Sequence, residues 1–162
     1  MGLDMYLRAK KYINKIDYNE ATNLGLDNVK PTKEWSAVVE SAGLKDLADR
    51  DIYGVEVSVV AAYWRKANQI HGWFVDNIQK GADDCGEYYV SKDKLQELLD
   101  TCKTAYITRN SQLLEPTSGF FFGSNDIDAW YWHKIEDTIT QLEYLINRKD
   151  FDTLSFYYQS SW

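Results

Sequence analysis

The chain has 162 residues, of which 44% are hydrophobic and 15% aromatic, with only 2 prolines and 9 glycines. This composition is typical of one packed domain that needs no disulfide or metal to fold, and it excludes a disordered tail. The 18 basic and 25 acidic residues give a net charge of −7, which disfavours general binding to nucleic acid and to anionic membranes.

Several classes of segment and motif are missing from the sequence. Cys85 and Cys102 lack metal-ligand spacing, and without a signal-like apolar run they are interpreted as reduced thiols. The longest uncharged apolar stretch, residues 57–64, is far shorter than the ~20 residues that cross a bilayer. No phosphate-loop, dinucleotide, zinc-protease or serine-hydrolase motif occurs. The sequence therefore predicts a cytoplasmic single domain, residues 1–162, with no cofactor and no metal.

The periodicities predict an α+β domain, in which a small mixed or antiparallel sheet of three to four strands packs against three to four helices. Residues 2–13 alternate as a half-buried strand, and residues 17–30 have the turn-rich composition of an irregular loop. Thr32 is a good N-cap for a helix that Gly43 ends. A short turn over residues 44–50 is expected to follow.

The middle of the chain predicts a strand, a helix and a second strand. Residues 55–62 are rich in β-branched side chains on both parities, which indicates a central strand covered on both faces. Residues 64–79 have the three-four spacing of a helix with one buried face. A short strand over residues 87–90 then precedes a helix that Ser91 caps.

The last third of the chain predicts a loop, a long helix and a final strand. Residues 113–124 break the periodicity with a proline and two glycines. The helix begins near Asp126, and residues 154–158 alternate as a strand. Because a free tail would rarely keep large rings in water, Trp162 is expected to dock on the domain, and its loss to destabilise the fold.

The first candidate binding cluster lies on the helix predicted after the second strand. Trp64, Asn68 and His71 recur on neighbouring turns of one face, and Arg65 and Lys66 stand at its start. The functional interpretation is a stacking indole, a hydrogen-bonding amide and imidazole, and positive charge for an anionic ligand. The structural interpretation is a core helix with a satisfied histidine and a solvated basic turn.

The second candidate cluster is the loop of residues 117–124. Small residues, Ser124 among them, flank Phe120, Phe121 and Phe122, and would let backbone N–H groups approach a ligand or phosphate. The N-terminus of the following helix favours anions, although two aspartates compete there. The alternative is a hydrophobic loop that plugs the core between two helices.

Candidates for catalysis are few. Asp83 and Asp84 precede Cys85, but adjacent carboxylates weaken a thiol as a nucleophile, so this segment is interpreted as a loop before a strand. Of the two histidines, His133 lies among aromatic residues, where packing or a cation–π contact is expected. The residues favour a non-catalytic protein, and a hydrolytic enzyme centred on His71 is the weakest hypothesis.

Five segments together resemble a family of small uncharacterised proteins that bacteriophages and prophages carry. They are the GLDMYL amino terminus, the WRKxNxIHGWF helix, the CGEYYV segment, the TSGFFFGS loop and the YYQSSW carboxyl terminus. Residues 17–50 lie outside the resemblance and are interpreted as a possible variable insert. The resemblance implies an accessory protein that acts on host physiology or host defence inside the bacterial cell.

The leading hypothesis is a protein that sequesters a small ligand between aromatic rings, with nucleotide-derived compounds as the class considered first. Its predicted contacts are Trp64, Arg65, Lys66, Asn68, His71, Phe120, Phe121, Phe122 and Ser124. The alternative is an acidic protein that inhibits a host defence factor through exposed aromatic residues, which interface hot spots favour. The partner is thus a small molecule or a host protein, and a homo-oligomer is compatible with either.

Overall fold

The computed structural model describes residues 2–48 and 53–162, and these contain one antiparallel sheet of four strands. The strands are β1 (Asp4–Asn14), β2 (Gly54–Arg65), β3 (Tyr88–Val90) and β4 (Ser155–Ser161), and their order across the sheet is β2-β1-β4-β3. In the pairing of β3 with β4, Tyr89 lies opposite Tyr157.

Six α-helices accompany the sheet in this part of the chain, which confirms the predicted α+β class. They are α1 (Tyr18–Leu24), α2 (Lys33–Ser41), α3 (Lys45–Ala48), α4 (Asn68–Asn77), α5 (Lys92–Thr108) and α6 (Ala129–Ile146). The predicted caps are confirmed, because the hydroxyls of Thr32 and Ser91 accept hydrogen bonds from backbone N–H groups three residues later.

The chain forms two compact units. The larger unit comprises Met1–Ala9 and Val59–Trp162, and its core lies between one face of the sheet and helices α4, α5 and α6. Alternation places Met5 and Leu7 of β1, together with Leu3 just before the strand, on this inner face, fully buried. The outer face of β1 and β4 carries polar and aromatic side chains, so one face of the sheet is buried and the other contacts solvent.

The smaller unit is Lys10–Ser58 and has a core of its own around Ile13, Trp35 and Val39. Thr32 donates a hydrogen bond to the carbonyl of Asn14 (3.0 Å), which fixes the start of α2 beside the end of β1. The predicted insert falls within this unit. Of the turn predicted for residues 44–50, α3 accounts for four residues, and residues 49 and 50 lie outside the described part of the chain.

The prediction of an irregular loop over residues 17–30 is wrong. Helix α1 and a 3₁₀ turn, Leu26–Asn28, occupy most of this segment. Its turn-forming side chains bind helix ends instead: Asp17 accepts from the backbone N–H groups of Asn19 and Glu20, and the Asn28 amide donates to the carbonyl of Leu24. Asp and Asn are as well suited to capping a helix as to forming a turn.

The prediction of a central strand over residues 55–62 is also wrong, because β2 lies at the edge of the sheet. Val59 of this strand is 55% exposed. Near the end of β2 the Gln141 side chain accepts from the backbone N–H of Tyr63 (2.9 Å) and donates to its carbonyl (3.2 Å). A side-chain amide of α6 thus takes the position of a neighbouring strand, which β-branched composition cannot reveal.

Two buried acidic groups predict how stability depends on alkaline pH. Burial raises the pKa of the Cys102 thiol to about 12, from its ordinary value of 9.0, and that of the Tyr131 hydroxyl to about 12. Above pH 9.0 the unfolded chain loses a thiol proton that the folded protein keeps, so the free energy of unfolding falls as pH rises toward about 12. Urea denaturation between neutral and alkaline pH measures this decline.

The variant Cys102→Val replaces the thiol with an apolar side chain, removes this proton, and should decline less steeply than the wild type. Cys85→Ser is the matched control, because Cys85 lies partly exposed in a loop, and its decline should equal that of the wild type. Identical slopes for Cys102→Val and the wild type would contradict the prediction.

Candidate functional site

Helix α4 lies in the interior of the larger unit and carries a histidine there. Residues Asn68 to Phe74 are all buried, and His71 is 0% exposed. The chain enters this helix through a tight turn, since Lys66 has a left-handed backbone (φ 53°) and donates its N–H to the carbonyl of Leu3 (2.8 Å). Because a buried imidazole without partners is unfavourable, both of its ring nitrogens need hydrogen bonds.

Both nitrogens of His71 have partners. Nε2 lies 3.0 Å from Oδ2 of Asp83, and Nδ1 lies 2.7 Å from the hydroxyl of Tyr158 on β4. A carboxylate only accepts, so Nε2 carries a hydrogen. Burial raises the pKa of Tyr158 well above its ordinary value, so its hydroxyl stays protonated. When the imidazole is neutral, this hydroxyl donates a hydrogen bond to Nδ1. We refer to these residues as the Asp83–His71–Tyr158 chain.

Aromatic rings pack around the Asp83–His71–Tyr158 chain. Phe122 meets the imidazole edge-on at 4.9 Å between ring centroids, and Phe74 stacks on Tyr158 at 3.9 Å. The Trp162 indole donates to Oδ1 of Asp83 (3.2 Å) and meets Phe122 at 6.0 Å. These contacts confirm that Trp162 docks on the domain, and they leave the Asp83 side chain 25% exposed.

A cavity of about 570 Å³ opens beside Asp83 and the loop of residues 117–124, which we call the phenylalanine loop, and we call this space the aromatic cavity. Its volume lies within the range of about 300–1,000 Å³ that small-ligand sites occupy. It is lined by Gly72, Val75 and Asp76 of α4, Asp83, residues 117–122 and Trp162. A Cβ at Gly72 would lie 2.2 Å from Oγ1 of Thr117, so this glycine allows the loop to approach the helix.

The structure brings four of the predicted site residues to the aromatic cavity. Phe120, Phe121 and Phe122 line it, and His71 lies behind Asp83. Phe120 is 95% exposed and Phe122 is buried, so the three rings differ in the contacts they can offer a ligand.

Three other predicted residues lie together at a smaller cavity of about 150 Å³. Lys66, Asn68 and Ser124 line it. The Asn68 amide donates to the carbonyl of Ser124 (2.9 Å), and the Ser124 hydroxyl pairs with a carboxylate oxygen of Asp126 (2.7 Å). These hydrogen bonds hold the end of the phenylalanine loop against the start of α4.

The last two predicted residues belong to β2, because α4 begins only at Asn68. The interpretation that Trp64 shares a helix face with Asn68 and His71 is therefore wrong. Trp64 is 1% exposed, and its indole donates to the hydroxyl of Thr138 on α6 (2.9 Å). Arg65 is exposed, with Nη1 4.0 Å from the carboxylate of Asp4.

Sequence reasoning missed Asp83, Tyr158 and Trp162 as parts of one site. In the sequence, Asp83 stands out only as a neighbour of a thiol, and Tyr158 only as a position of alternation in a strand. A usable signal existed: a tyrosine and a histidine on buried faces each need a polar partner, and each can satisfy the other.

Both nitrogens of His71 are engaged within the protein and its side chain is 0% exposed, so a substrate does not reach either nitrogen while these hydrogen bonds are in place. Burial raises the pKa of Cys102 to about 12, which keeps it a thiol rather than a nucleophilic thiolate. Across residues 2–48 and 53–162, no three His, Cys, Asp or Glu side chains converge as a metal-binding group. No helix within these ranges is long and apolar enough to cross a membrane.

Comparisons of the chain with protein-family models, with curated proteins and with solved structures give no match. The chemistry of the site must therefore be argued from its geometry.

The Asp83–His71–Tyr158 chain predicts that removal of the Tyr158 hydroxyl lowers the free energy of unfolding. Tyr158→Phe keeps the ring that stacks on Phe74 but leaves Nδ1 of a buried imidazole without a partner. We expect a loss of about 1–3 kcal/mol in the free energy of unfolding, measured by urea denaturation. Tyr89→Phe is the matched control, since this side chain is 59% exposed, and it should change stability by less than about 0.5 kcal/mol. Equal stabilities of Tyr158→Phe and the wild type would contradict this role.

Proposed function

We propose that this protein binds and sequesters a small ligand with an aromatic ring in the aromatic cavity, without chemical conversion. The single observation that carries the proposal is a cavity of about 570 Å³ lined by aromatic rings and by a carboxylate, Asp83, that two hydrogen bonds hold in place. Ligand sites combine an apolar, aromatic lining with a few fixed polar groups in this way.

The exposure of Phe120 supports the proposal. Its ring is 95% exposed at the rim of the cavity and meets Phe121 edge-on at 4.8 Å. A phenylalanine held in water contributes nothing to folding, whereas burial of such a side chain contributes about 1.5–3 kcal/mol. A ring stacked against Phe120 would gain from this burial, and the loop already presents the side chain for it.

The rigidity of the polar group also supports binding. Asp83 accepts from His71 and from Trp162, so its carboxylate is oriented before a ligand arrives. Preorganised groups lose less conformational entropy on binding, which favours affinity. With both imidazole nitrogens used for positioning, the site favours holding a ligand over transforming it.

The resemblance to phage and prophage proteins extends the proposal to a biological role. Sequestration of a small molecule, with nucleotide-derived compounds as the class expected from the sequence, would act on host physiology or defence in the bacterial cytoplasm.

Calorimetric titration with a panel of nucleobases, nucleosides, nucleotides and aromatic amines tests the proposal. We expect at least one member to bind, and Phe120→Ala to weaken it about tenfold, which corresponds to about 1.4 kcal/mol. Since Phe120 is exposed, this variant should keep wild-type stability. Ile107→Ala, which changes a 79% exposed side chain of α5 away from the cavity, is the control and should bind as the wild type does. Absence of heat with every member would reject the proposal.

A second candidate function, inhibition of a host protein, is favoured by the outer face of the sheet. Four tyrosines, one on each strand, lie on this face within the larger unit, and we call this set the tyrosine face: Tyr6, Tyr63, Tyr89 and Tyr157. The ring centroids of Tyr6 and Tyr63 lie 5.4 Å apart, and those of Tyr89 and Tyr157 lie 5.7 Å apart. The Arg8 guanidinium carbon lies 5.7 Å from the centroid of the Tyr6 ring. Tyrosine and arginine are the residue types enriched at protein interfaces.

The tyrosine face is held in place by hydrogen bonding at its β2 edge. The Tyr63 hydroxyl donates to the Asp4 carboxylate, and this hydrogen bond raises the pKa of Tyr63. Tyr63 and Tyr89 remain 41% and 59% exposed. The face therefore combines fixed orientation with access for a partner.

Pull-down from bacterial lysate separates the two functions. If the tyrosine face binds a host protein, a stoichiometric partner should be recovered, and Tyr89→Ala and Arg8→Ala should reduce its capture. Phe120→Ala is the control and should leave capture unchanged, since Phe120 lines the aromatic cavity. Loss of capture in Phe120→Ala alone, or no partner at all, would reject this candidate.

A further inference from the structure

We propose that the ligand of the aromatic cavity directs N–H donors, neutral or positively charged, at Asp83 and carries no phosphate within the cavity. This inference rests on the proposed function and specifies the chemistry of its ligand. It differs from the anionic ligand that the sequence predicts through Arg65 and Lys66.

The charges that line the cavity carry the inference. Asp76 and Asp83 contribute two carboxylates, and among the described lining residues none is Lys or Arg. The predicted cations lie elsewhere: Arg65 is beside Asp4, and Lys66 lines the smaller cavity. A phosphate in the aromatic cavity would meet like charges and no cation, in a molecule whose net charge is already −7.

The hydrogen-bonding capacity of Asp83 agrees with an N–H donor. One oxygen accepts from Nε2 of His71 and the other from Nε1 of Trp162, and each oxygen of an ionised carboxylate has a second lone pair. The Asp83 side chain is 25% exposed and lines the cavity, so a ligand in the cavity can approach the carboxylate. A ligand N–H group would complete the acceptor set of a carboxylate that is already oriented.

The rings beside Asp83 favour the same chemistry. Phe120, Phe121, Phe122 and Trp162 line the cavity, and aromatic faces attract both stacked heterocycles and organic cations. Two sources share this chemistry: a neutral nitrogen heterocycle such as a nucleobase, and an aromatic amine. Both would stack on the rings while an N–H group reaches Asp83.

Matched pairs of probes test the inference by calorimetry. Guanosine and guanosine 5′-monophosphate share a base and differ in phosphate. Tryptamine and indole-3-propionate share a ring and differ in the sign of their charge. We expect the uncharged or cationic member of at least one pair to bind at least tenfold more tightly than its anionic partner. The pair that shows this preference identifies the neutral or the cationic source.

Two variants locate the preference. Asp83→Asn should weaken the favoured probe at least tenfold and remove the preference within its pair. Because this variant also changes the hydrogen bond to His71, its stability must be compared with the wild type by urea denaturation. Asp76→Asn alters an exposed side chain at the rim and provides a second readout: it should reduce the preference without a change in stability.

The outcomes separate the inference from the proposed function. If the anionic member binds at least as tightly as its partner in every pair that binds, the inference is overturned and ligand binding stays intact. Preference retained in both Asp83→Asn and Asp76→Asn would also overturn it. If none of the probes and none of the panel members binds, both proposals are rejected.

Discussion

A buried imidazole that must be satisfied on both sides is the constraint from which the site follows. His71 lies within a fully buried stretch of α4, and its two nitrogens draw in groups far apart in sequence, Asp83 and Tyr158. Neither partner can be withdrawn without leaving a polar atom unpaired in a low-dielectric interior. Three segments of the chain are thereby joined by side-chain hydrogen bonds rather than by sheet pairing alone.

The aromatic cavity depends on this buried hydrogen-bonded arrangement. Asp83 is fixed on one side by His71, and its remaining surface faces a space that the phenylalanine loop and Trp162 border. The loop reaches this position because Gly72 leaves room for Thr117 against α4. A carboxylate that helps to complete the core thus also presents a fixed acceptor to the solvent side, which joins stability to recognition in one group.

Periodicity predicted the fold class and the faces of its elements, because burial of apolar side chains is written locally in the sequence. The buried residues of α5 and the alternation of β1 and β4 follow directly from it. The position of β2 at the edge could not be predicted, since it depends on long-range pairing and on a side chain of α6, Gln141. The site could be predicted only in part for the same reason. The sequence indicates His71 and the phenylalanine loop, whereas Asp83 and Tyr158 join them through tertiary contacts.

The Gln141 amide on β2 also bears on association between copies of the chain. An edge strand with apolar side chains in water, as Val59 and Val60 are, is a template onto which a second extended chain can add and start aggregation. By occupying both backbone groups of Tyr63, Gln141 interrupts that template within the same molecule. Helix α6 thereby shortens the stretch of the β2 edge that a second extended chain could pair with.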